Sequence, residues 1–196
     1  MAKKISMFRI IVMVTGLIIL MIPWYQLGIH FKTLVAGGKI MIDLKYVITG
    51  FLFLFSYLLK LILFRLNQPK KKEQPLIFKI EKSLEEIFVE GLLMILAFNG
   101  FISVVIPVVM MAKNILVNTM KSLSADNGKM NEKSRLGFME YVTLRLGILS
   151  LLFYNLPFEL WSFYFADALI MIATVLAVLN GCIYYFNAKN MLMNRE

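Results

Sequence analysis

Six apolar runs, separated by short polar segments, limit what this chain can fold into more than any other feature of the sequence. The runs cover about 10–23, 44–64, 82–98, 101–120, 136–154 and 160–186. A helix that crosses a membrane needs about 20 predominantly apolar residues. Of the 196 residues, 60% are hydrophobic and 17% are charged, whereas soluble domains have about 45–50% and about 25%. The pattern predicts an all-α integral membrane protein, one domain of six transmembrane helices, and excludes a soluble enzyme or a disordered chain.

The distribution of basic residues predicts the orientation of these helices. Lysine and arginine concentrate in the amino terminus, the 65–82 loop, the 113–135 segment and the tail, while the connectors at 99–100 and 155–159 contain none. Cytoplasmic loops of membrane proteins are enriched in these residues, so we expect both termini to be cytoplasmic. The same rule accounts for the formal net charge of +9 without a nucleic-acid partner. The single cysteine, Cys182, excludes an intramolecular disulfide.

Short polar and proline signals predict the connections. A polar hairpin that includes His30 is expected over 24–43, and Asn99-Gly100 is typical of a tight turn. Pro107 lies inside the fourth apolar run and therefore predicts a kink in that helix.

Several ionisable residues fall at membrane depth, where a charge is costly and suggests a function. Glu81 and Glu85 are four residues apart, so both carboxylates project from one helix face. They are candidate ligands for a divalent cation, or the solvated first turn of a helix. Arg145 and Asp167, in the fifth and sixth runs, are expected to be structural, either paired with each other or facing a polar cavity. Lys60, near the end of the second run, is expected to reach the membrane interface.

The last forty residues contain a more specific pattern. It comprises Asn155-Leu156-Pro157-Phe158-Glu159-Leu160, Ala166-Asp167, Ile172-Ala173, Val175-Leu176, Gly181 and Tyr185-Phe186. This pattern resembles the last helix and preceding connector of bacterial phosphatidylglycerophosphate synthases, members of the CDP-alcohol phosphatidyltransferase family. Ser6-Met7-Phe8-Arg9 is similar to the family's opening Thr-x-x-Arg. The resemblance implies a six-helix fold, homodimers formed through membrane helices, and a place in the bacterial cytoplasmic membrane.

The catalytic motif of that family is altered in this sequence. Family members hold two divalent cations with four aspartates, and alignment on Arg65 places those aspartates on Tyr57, Lys60, Glu81 and Glu85. A two-metal site needs several anionic oxygens, and a phenol and an ammonium supply none. The resemblance therefore implies a degenerate member with no catalytic residue, in which Glu81 and Glu85 are a remnant metal site and Lys60 is their counter-ion.

The family's phosphate-binding basic residues are partly replaced and partly kept. By the resemblance Lys113 and Lys121 stand in place of two arginines, and Lys129 is retained from a Gly-Lys pattern. Together with Arg65 they predict a cationic cytoplasmic pocket for an anion or an anionic lipid headgroup. The alternative is that these charges only orient the helices and form no pocket.

These observations lead to one preferred function and two alternatives. We expect a catalytically inactive relative of phosphatidylglycerophosphate synthase that acts as an interaction or regulatory subunit of a membrane complex. Its expected partners are membrane lipids and either a second copy or another membrane protein, with no nucleic acid and no cofactor. The first alternative is an active CDP-alcohol phosphatidyltransferase of phospholipid biosynthesis that uses Mg²⁺ or Mn²⁺. The second is a small transporter or immunity-type membrane protein, with a polar path through Arg145 and Asp167.

Overall fold

The computed structural model describes residues 2–29, 31, 33–36, 40–66, 76–126, 135–156, 158–161 and 163–193. Within these ranges the chain forms six α-helices, so the all-helical prediction is confirmed. The helices are α1 (Ala2–Met21), α2 (Leu44–Leu66), α3 (Leu76–Phe98), α4 (Val105–Asp126), α5 (Arg135–Leu152) and α6 (Phe165–Met193). Short 3₁₀ turns at Trp24–Leu27 and Phe158–Trp161 follow α1 and precede α6.

Two of the described helices contain a stretch long and apolar enough to cross a membrane. These stretches are Leu44–Leu63 in α2 and Phe165–Asn187 in α6. In α1 the apolar stretch Ile5–Met21 is shorter. The predicted spans of α3, α4 and α5 contain four, one and two charged residues. Within the described residues none of these three helices has a stretch that is both as long and as apolar, so six transmembrane helices remain a prediction.

A small β-hairpin occupies the predicted polar hairpin. Strands β1 (Thr33–Ala36) and β2 (Ile40–Asp43) pair antiparallel, with Thr33 opposite Asp43 and Ala36 opposite Ile40. The backbone N–H of Asp43 donates a hydrogen bond of 3.0 Å to the Tyr154 hydroxyl, which ties the hairpin to the end of α5. His30 lies outside the described residues.

The buried core receives apolar side chains from all six helices. On α6 a single face is buried because the residues recur at helical spacing, and several of them are small: Ala166, Ile170, Ala173 and Ala177. Small side chains let helix backbones approach closely. Leu92, Leu93 and Leu96 of α3 and Ile148 and Leu152 of α5 belong to the same core.

The fourth and fifth helices differ from their predicted spans. Because α4 begins at Val105, Pro107 lies in its first turn, where the missing N–H costs no intrahelical hydrogen bond. The predicted kink at Pro107 is therefore wrong. The helix α5 ends at Leu152 because Tyr154 and Asn155 adopt left-handed backbone angles, with φ of 56° and 55°. The tight turn at Asn99-Gly100 is present, and Gly100 has a φ of 78°.

Candidate functional site

Five charged side chains from four helices meet inside the bundle and form what we call the charged cluster. It consists of Arg9 on α1, Lys60 on α2, Glu81 and Glu85 on α3, and Arg145 on α5. Both carboxylates and the Arg9 guanidinium are almost completely buried. Buried charges are stable only when they are paired and hydrogen-bonded, so the contacts of each group matter.

Arg9 joins the two carboxylates. Its guanidinium forms ion pairs with Glu81, and with Glu85 at 2.6 Å between Nη2 and Oε2. The Nε–H donates to the backbone oxygen of Ser56 at 3.2 Å and to its hydroxyl at 3.3 Å. The hydroxyl of Ser6, one turn before Arg9, donates to Oε2 of Glu81 at 2.6 Å. Ser6 and Arg9, in the first turns of α1, thus donate hydrogen bonds to the two carboxylates of α3.

Glu85 is the centre of the charged cluster. Besides Arg9, its oxygens accept hydrogen bonds from Lys60 Nζ at 2.7 and 2.9 Å, from Arg145 Nη2 at 2.9 Å, and from the hydroxyls of Tyr141 at 2.7 Å and Tyr57 at 3.3 Å. Three cations and two phenols from three helices therefore converge on one carboxylate.

Two tyrosines fix Arg145 in place. The central carbon of its guanidinium lies 3.3 Å from the centroid of the Tyr141 ring and 5.7 Å from that of Tyr57. Such contacts between a cation and an aromatic face are attractive. The guanidinium also donates to the Tyr57 hydroxyl and to the backbone oxygen of Tyr141. Arg145 is therefore positioned by α2, α3 and its own helix.

The charged cluster does not fit a bound divalent cation. Glu81 and Glu85 share one face of α3, as their spacing predicted, but they are buried, so the interpretation as a solvated helix turn is wrong. Their oxygens already accept from Arg9, Lys60 and Arg145, and the cluster has one more cation than carboxylates. Among the described residues, no group of three or more histidine, cysteine, aspartate or glutamate side chains could hold a metal ion.

Arg145 and Asp167 are not paired with each other. The Arg145 guanidinium is directed to Glu85, whereas Asp167 lies in the first turn of α6 and lines a cleft. Of the two arrangements considered for these residues, pairing with each other is wrong. Asp167 faces a cleft whose walls are mostly apolar rather than a polar cavity, and Arg145 lies in the charged cluster.

A second buried ion pair lies between α4, α5 and α6. Lys113 Nζ is 2.5 Å from Oε1 of Glu140, and the amide of Asn180 donates to Oε2 of Glu140 at 3.0 Å. Gly181 makes room for this pair, because a Cβ there would lie 3.2 Å from Cγ of Lys113. Lys113, predicted to bind an anion, is thus neutralised by a carboxylate of the same chain.

The other residues predicted to bind an anion are Arg65, Lys121 and Lys129, and no contact among the described residues brings them together. Lys121 lies 4.9 Å from the centroid of the Tyr184 ring. Its partial burial lowers the pKa of its ammonium, and so does the nearby charge of Lys82. Arg65 is exposed in the last turn of α2, and Lys129 lies outside the described residues. Anion binding by these residues stays a prediction.

Several residues of the two buried clusters were not predicted from the sequence. Arg9 is expected as part of the basic amino terminus and of the family's opening motif, neither of which predicts its contacts with Glu81 and Glu85. Tyr141, Glu140 and Asn180 were not singled out from the sequence. A usable signal existed for Tyr141, because it lies four residues before Arg145 on the same helix face. No protein-family model matches this chain, and no curated protein matches it either.

Proposed function

We propose that this chain is a multi-pass membrane protein of six transmembrane helices, with both termini in the cytoplasm, and that it acts without catalysis as an interaction or regulatory subunit of a membrane complex. The first support is the outer surface of the helices. Large apolar side chains are exposed along α1, α2 and α6: Ile11, Val14, Ile18, Phe51, Phe55, Leu58, Met171, Val175 and Leu179. A protein that folds in water rarely exposes contiguous apolar surface on this scale.

The charges support the same placement. Arg9, Glu81, Glu85, Glu140 and Arg145 turn into the bundle, where they are paired. This is the arrangement expected of ionisable residues in a lipid environment, because a charge facing hydrocarbon is costly. Apolar residues outside and paired charges inside are therefore consistent with helices that are surrounded by lipid.

The observation that most supports a non-catalytic role is that Glu81 and Glu85 are neutralised by cations of the chain itself. The four positions that the resemblance assigns to metal-binding aspartates, Tyr57, Lys60, Glu81 and Glu85, belong to one hydrogen-bonded group with Arg9 and Arg145. Their proximity is consistent with the scaffold of a CDP-alcohol phosphatidyltransferase. A divalent cation entering there would have to displace the partly exposed Lys60 ammonium and two largely buried guanidiniums, whose ion pairs are strengthened by the low dielectric of their sites.

The transporter alternative receives less support. Arg145 and Asp167 do not define a polar path in the described part of the bundle, because the buried apolar residues Ile148 on α5 and Ile170 on α6 lie between their levels. A continuous route for an ion would need polar groups in that layer.

Two measurements on the purified full-length protein test the absence of catalysis. The first follows CMP release from CDP-diacylglycerol with Mg²⁺ or Mn²⁺, and the second follows the melting temperature as the metal is added. We expect no metal-dependent CMP release and no metal-dependent rise in melting temperature. Glu86→Gln is the matched control for Glu85→Gln, because Glu86 is the next residue on α3 and lies outside the charged cluster. Metal-dependent CMP release that is lost in Glu85→Gln but kept in Glu86→Gln would contradict the proposal and favour the enzyme.

The subunit role is tested by cross-linking in native membranes followed by mild solubilisation and mass analysis. We expect the chain to purify with a second membrane protein at constant stoichiometry, or as a homodimer. A chain that migrates as a monomer after cross-linking at its native abundance would refute the subunit role.

A further inference from the structure

A cleft of about 470 Å³ opens at the end of the bundle where α3 ends and α4 and α6 begin. Its walls are mostly apolar, with one carboxylate, and they include Phe101, Ile102, Ser103, Ile106, Asp167 and Met171. We call it the Asp167 cleft. Ligand sites in proteins are commonly concavities of this size, mainly apolar, with a few polar groups that orient the ligand.

Asp167 differs from the buried carboxylates of this protein in its lack of a cation. Glu85, Glu81 and Glu140 each contact a lysine or an arginine, whereas the Asp167 carboxylate forms no ion pair or side-chain hydrogen bond with a described residue. The charged side chain that acts on the Asp167 carboxylate is that of Glu159, which is also negative and so does not neutralise it. The amino-terminal end of α6 favours an acidic residue, but that effect does not explain why a cleft forms beside it.

The composition of the Asp167 cleft indicates what kind of cation would bind. A divalent metal ion needs six or more oxygen ligands or several waters, and this cleft offers one carboxylate and the hydroxyl of Ser103. The single charge of a primary ammonium is balanced by one carboxylate, and its N–H groups can donate to the Asp167 carboxylate and the Ser103 hydroxyl. An apolar tail attached to the ammonium would contact the remaining walls. The cleft thus matches an organic ammonium better than a metal.

The surroundings of the cleft favour a membrane lipid as the source of that ammonium. Met171 on its wall and Val105 beside it are exposed at 62% and 65%, and Phe98 at the end of α3 is exposed at 90%. The aromatic residues Trp161 and Tyr164 lie just before α6 at the same end of the bundle and are also exposed. Tryptophan and tyrosine are enriched at the membrane–water interface, which is the depth of lipid headgroups.

We propose that the Asp167 cleft binds the primary ammonium headgroup of a zwitterionic lipid, with the Asp167 carboxylate accepting hydrogen bonds from the ammonium and the apolar walls contacting the start of the lipid chains. This inference rests on the membrane placement in the proposed function. It adds a lipid site at the end of the bundle opposite to the charged cluster.

Native mass spectrometry of the detergent-solubilised full chain, titrated with lipids of identical acyl chains, tests this site. We expect phosphatidylethanolamine to bind more tightly than phosphatidylcholine, whose quaternary ammonium has no N–H, and more tightly than phosphatidylglycerol, which is anionic. Asp167→Asn should weaken phosphatidylethanolamine binding about tenfold, because it removes a charged hydrogen-bond acceptor. Met171→Trp, at an exposed position on the wall, should weaken it by filling the cleft.

Asp43→Asn is the matched control, because Asp43 lines a smaller cleft with Lys45 and Trp24. It should leave lipid binding unchanged, and circular dichroism and melting temperature identify any variant that fails to fold. Equal binding of phosphatidylethanolamine and phosphatidylglycerol by the unmodified chain would overturn the inference. So would an unchanged preference in Asp167→Asn, or a loss of preference in Asp43→Asn.

A carbonate wash of the membranes separates this inference from the proposed function. A chain released by the wash is not integrated, which refutes the membrane placement. A chain that stays in the membrane pellet but shows no preference among the three lipids refutes only the lipid site.

Discussion

The central role of Glu85 predicts that the substitution Glu85→Gln destabilises this protein far more than the same change at the neighbouring Glu86. Glu85 accepts hydrogen bonds from Lys60 and Arg145, and neither of these cations has an ion pair with another carboxylate among the described residues. A glutamine at position 85 keeps the shape of the side chain but replaces one acceptor oxygen with an N–H donor. That donor would then face groups that are themselves donors.

The expected magnitude follows from the burial of these groups. Removing one partner from a buried ion pair typically costs about 3–5 kcal/mol, because it leaves an uncompensated charge. Arg9 keeps Glu81 as a partner and the Lys60 side chain is 39% exposed, so water can solvate its ammonium; the loss is concentrated on Arg145, whose side chain is 12% exposed. Glu86 forms one ion pair, with Lys82 at 3.8 Å, and the Lys82 side chain is 67% exposed. Exposed pairs at this helical spacing contribute about 0.3–0.5 kcal/mol.

The measurement is the free energy of unfolding in mixed micelles, from titration with a denaturing detergent and monitored by circular dichroism. We expect Glu85→Gln to lower the free energy of unfolding by about 3–5 kcal/mol and Glu86→Gln to lower it by less than about 1 kcal/mol. The double variant Glu85→Gln with Lys60→Met should recover part of the loss, because it removes one of the unpaired cations. If Glu85→Gln and Glu86→Gln were equally stable, the charged cluster would not be a stabilising centre.

Two further predictions concern packing and the turn before α6. Gly147→Ala should destabilise the protein by about 1–3 kcal/mol, because the new Cβ would lie 2.9 Å from two carbons of Ile170. Gly16→Ala is its control and should be neutral or stabilising, since the atom nearest to an added Cβ there is 3.6 Å away and alanine favours helix. Thermal unfolding measures the stability of both variants. Equal effects of the two substitutions would contradict the argument from the Ile170 contact. Asn155→Ala should lower the melting temperature, because the Asn155 side chain accepts from the N–H of Ala166 at 3.0 Å and donates to the Phe163 oxygen at 2.7 Å. An unchanged melting temperature of Asn155→Ala would show that these hydrogen bonds do not hold the turn.

The sequence predicts the helices well where apolar periodicity is uninterrupted and less well at their ends. The second helix begins at Leu44 and the third ends at Phe98, both as expected from the change between polar and apolar residues. The third helix begins at Leu76, six residues before its predicted span, because its first turns are amphipathic rather than apolar. The fourth apolar run begins at Phe101, but α4 begins only at Val105: three of the residues 101–104 are apolar and the fourth, Ser103, accepts a hydrogen bond from the N–H of Val105 just before the helix. Hydrophobicity alone does not distinguish a buried connector from a helix turn.

The charged cluster is only partly visible in the sequence. The spacing of Glu81 and Glu85 shows that they share a helix face, and the family alignment suggests that Lys60 is their counter-ion, a contact that Glu85 makes in the structure. Arg9 and Arg145 are separated from Glu85 by 76 and 60 positions along the chain. No local pattern reveals a contact at that separation, and Arg9 at the start of an apolar run is indistinguishable from an orienting positive charge.

The register between α5 and α6 explains why Arg145 cannot pair with Asp167. These helices run antiparallel, with Gly147 against Ile170 and Gly137 against Asn180, so the position numbers of facing residues have a constant sum. By this register Arg145 is level with Ile172, five residues or ~7.5 Å along the axis from Asp167. The sequence shows only that Arg145 and Asp167 are charged residues within apolar runs. Whether they pair depends on the register of α5 against α6, which is seen in the close contacts at Gly137 and Gly147. Because Arg145 is then committed to Glu85, the Asp167 carboxylate at the other end of the bundle is left without that arginine, which is the condition that a lipid ammonium would satisfy.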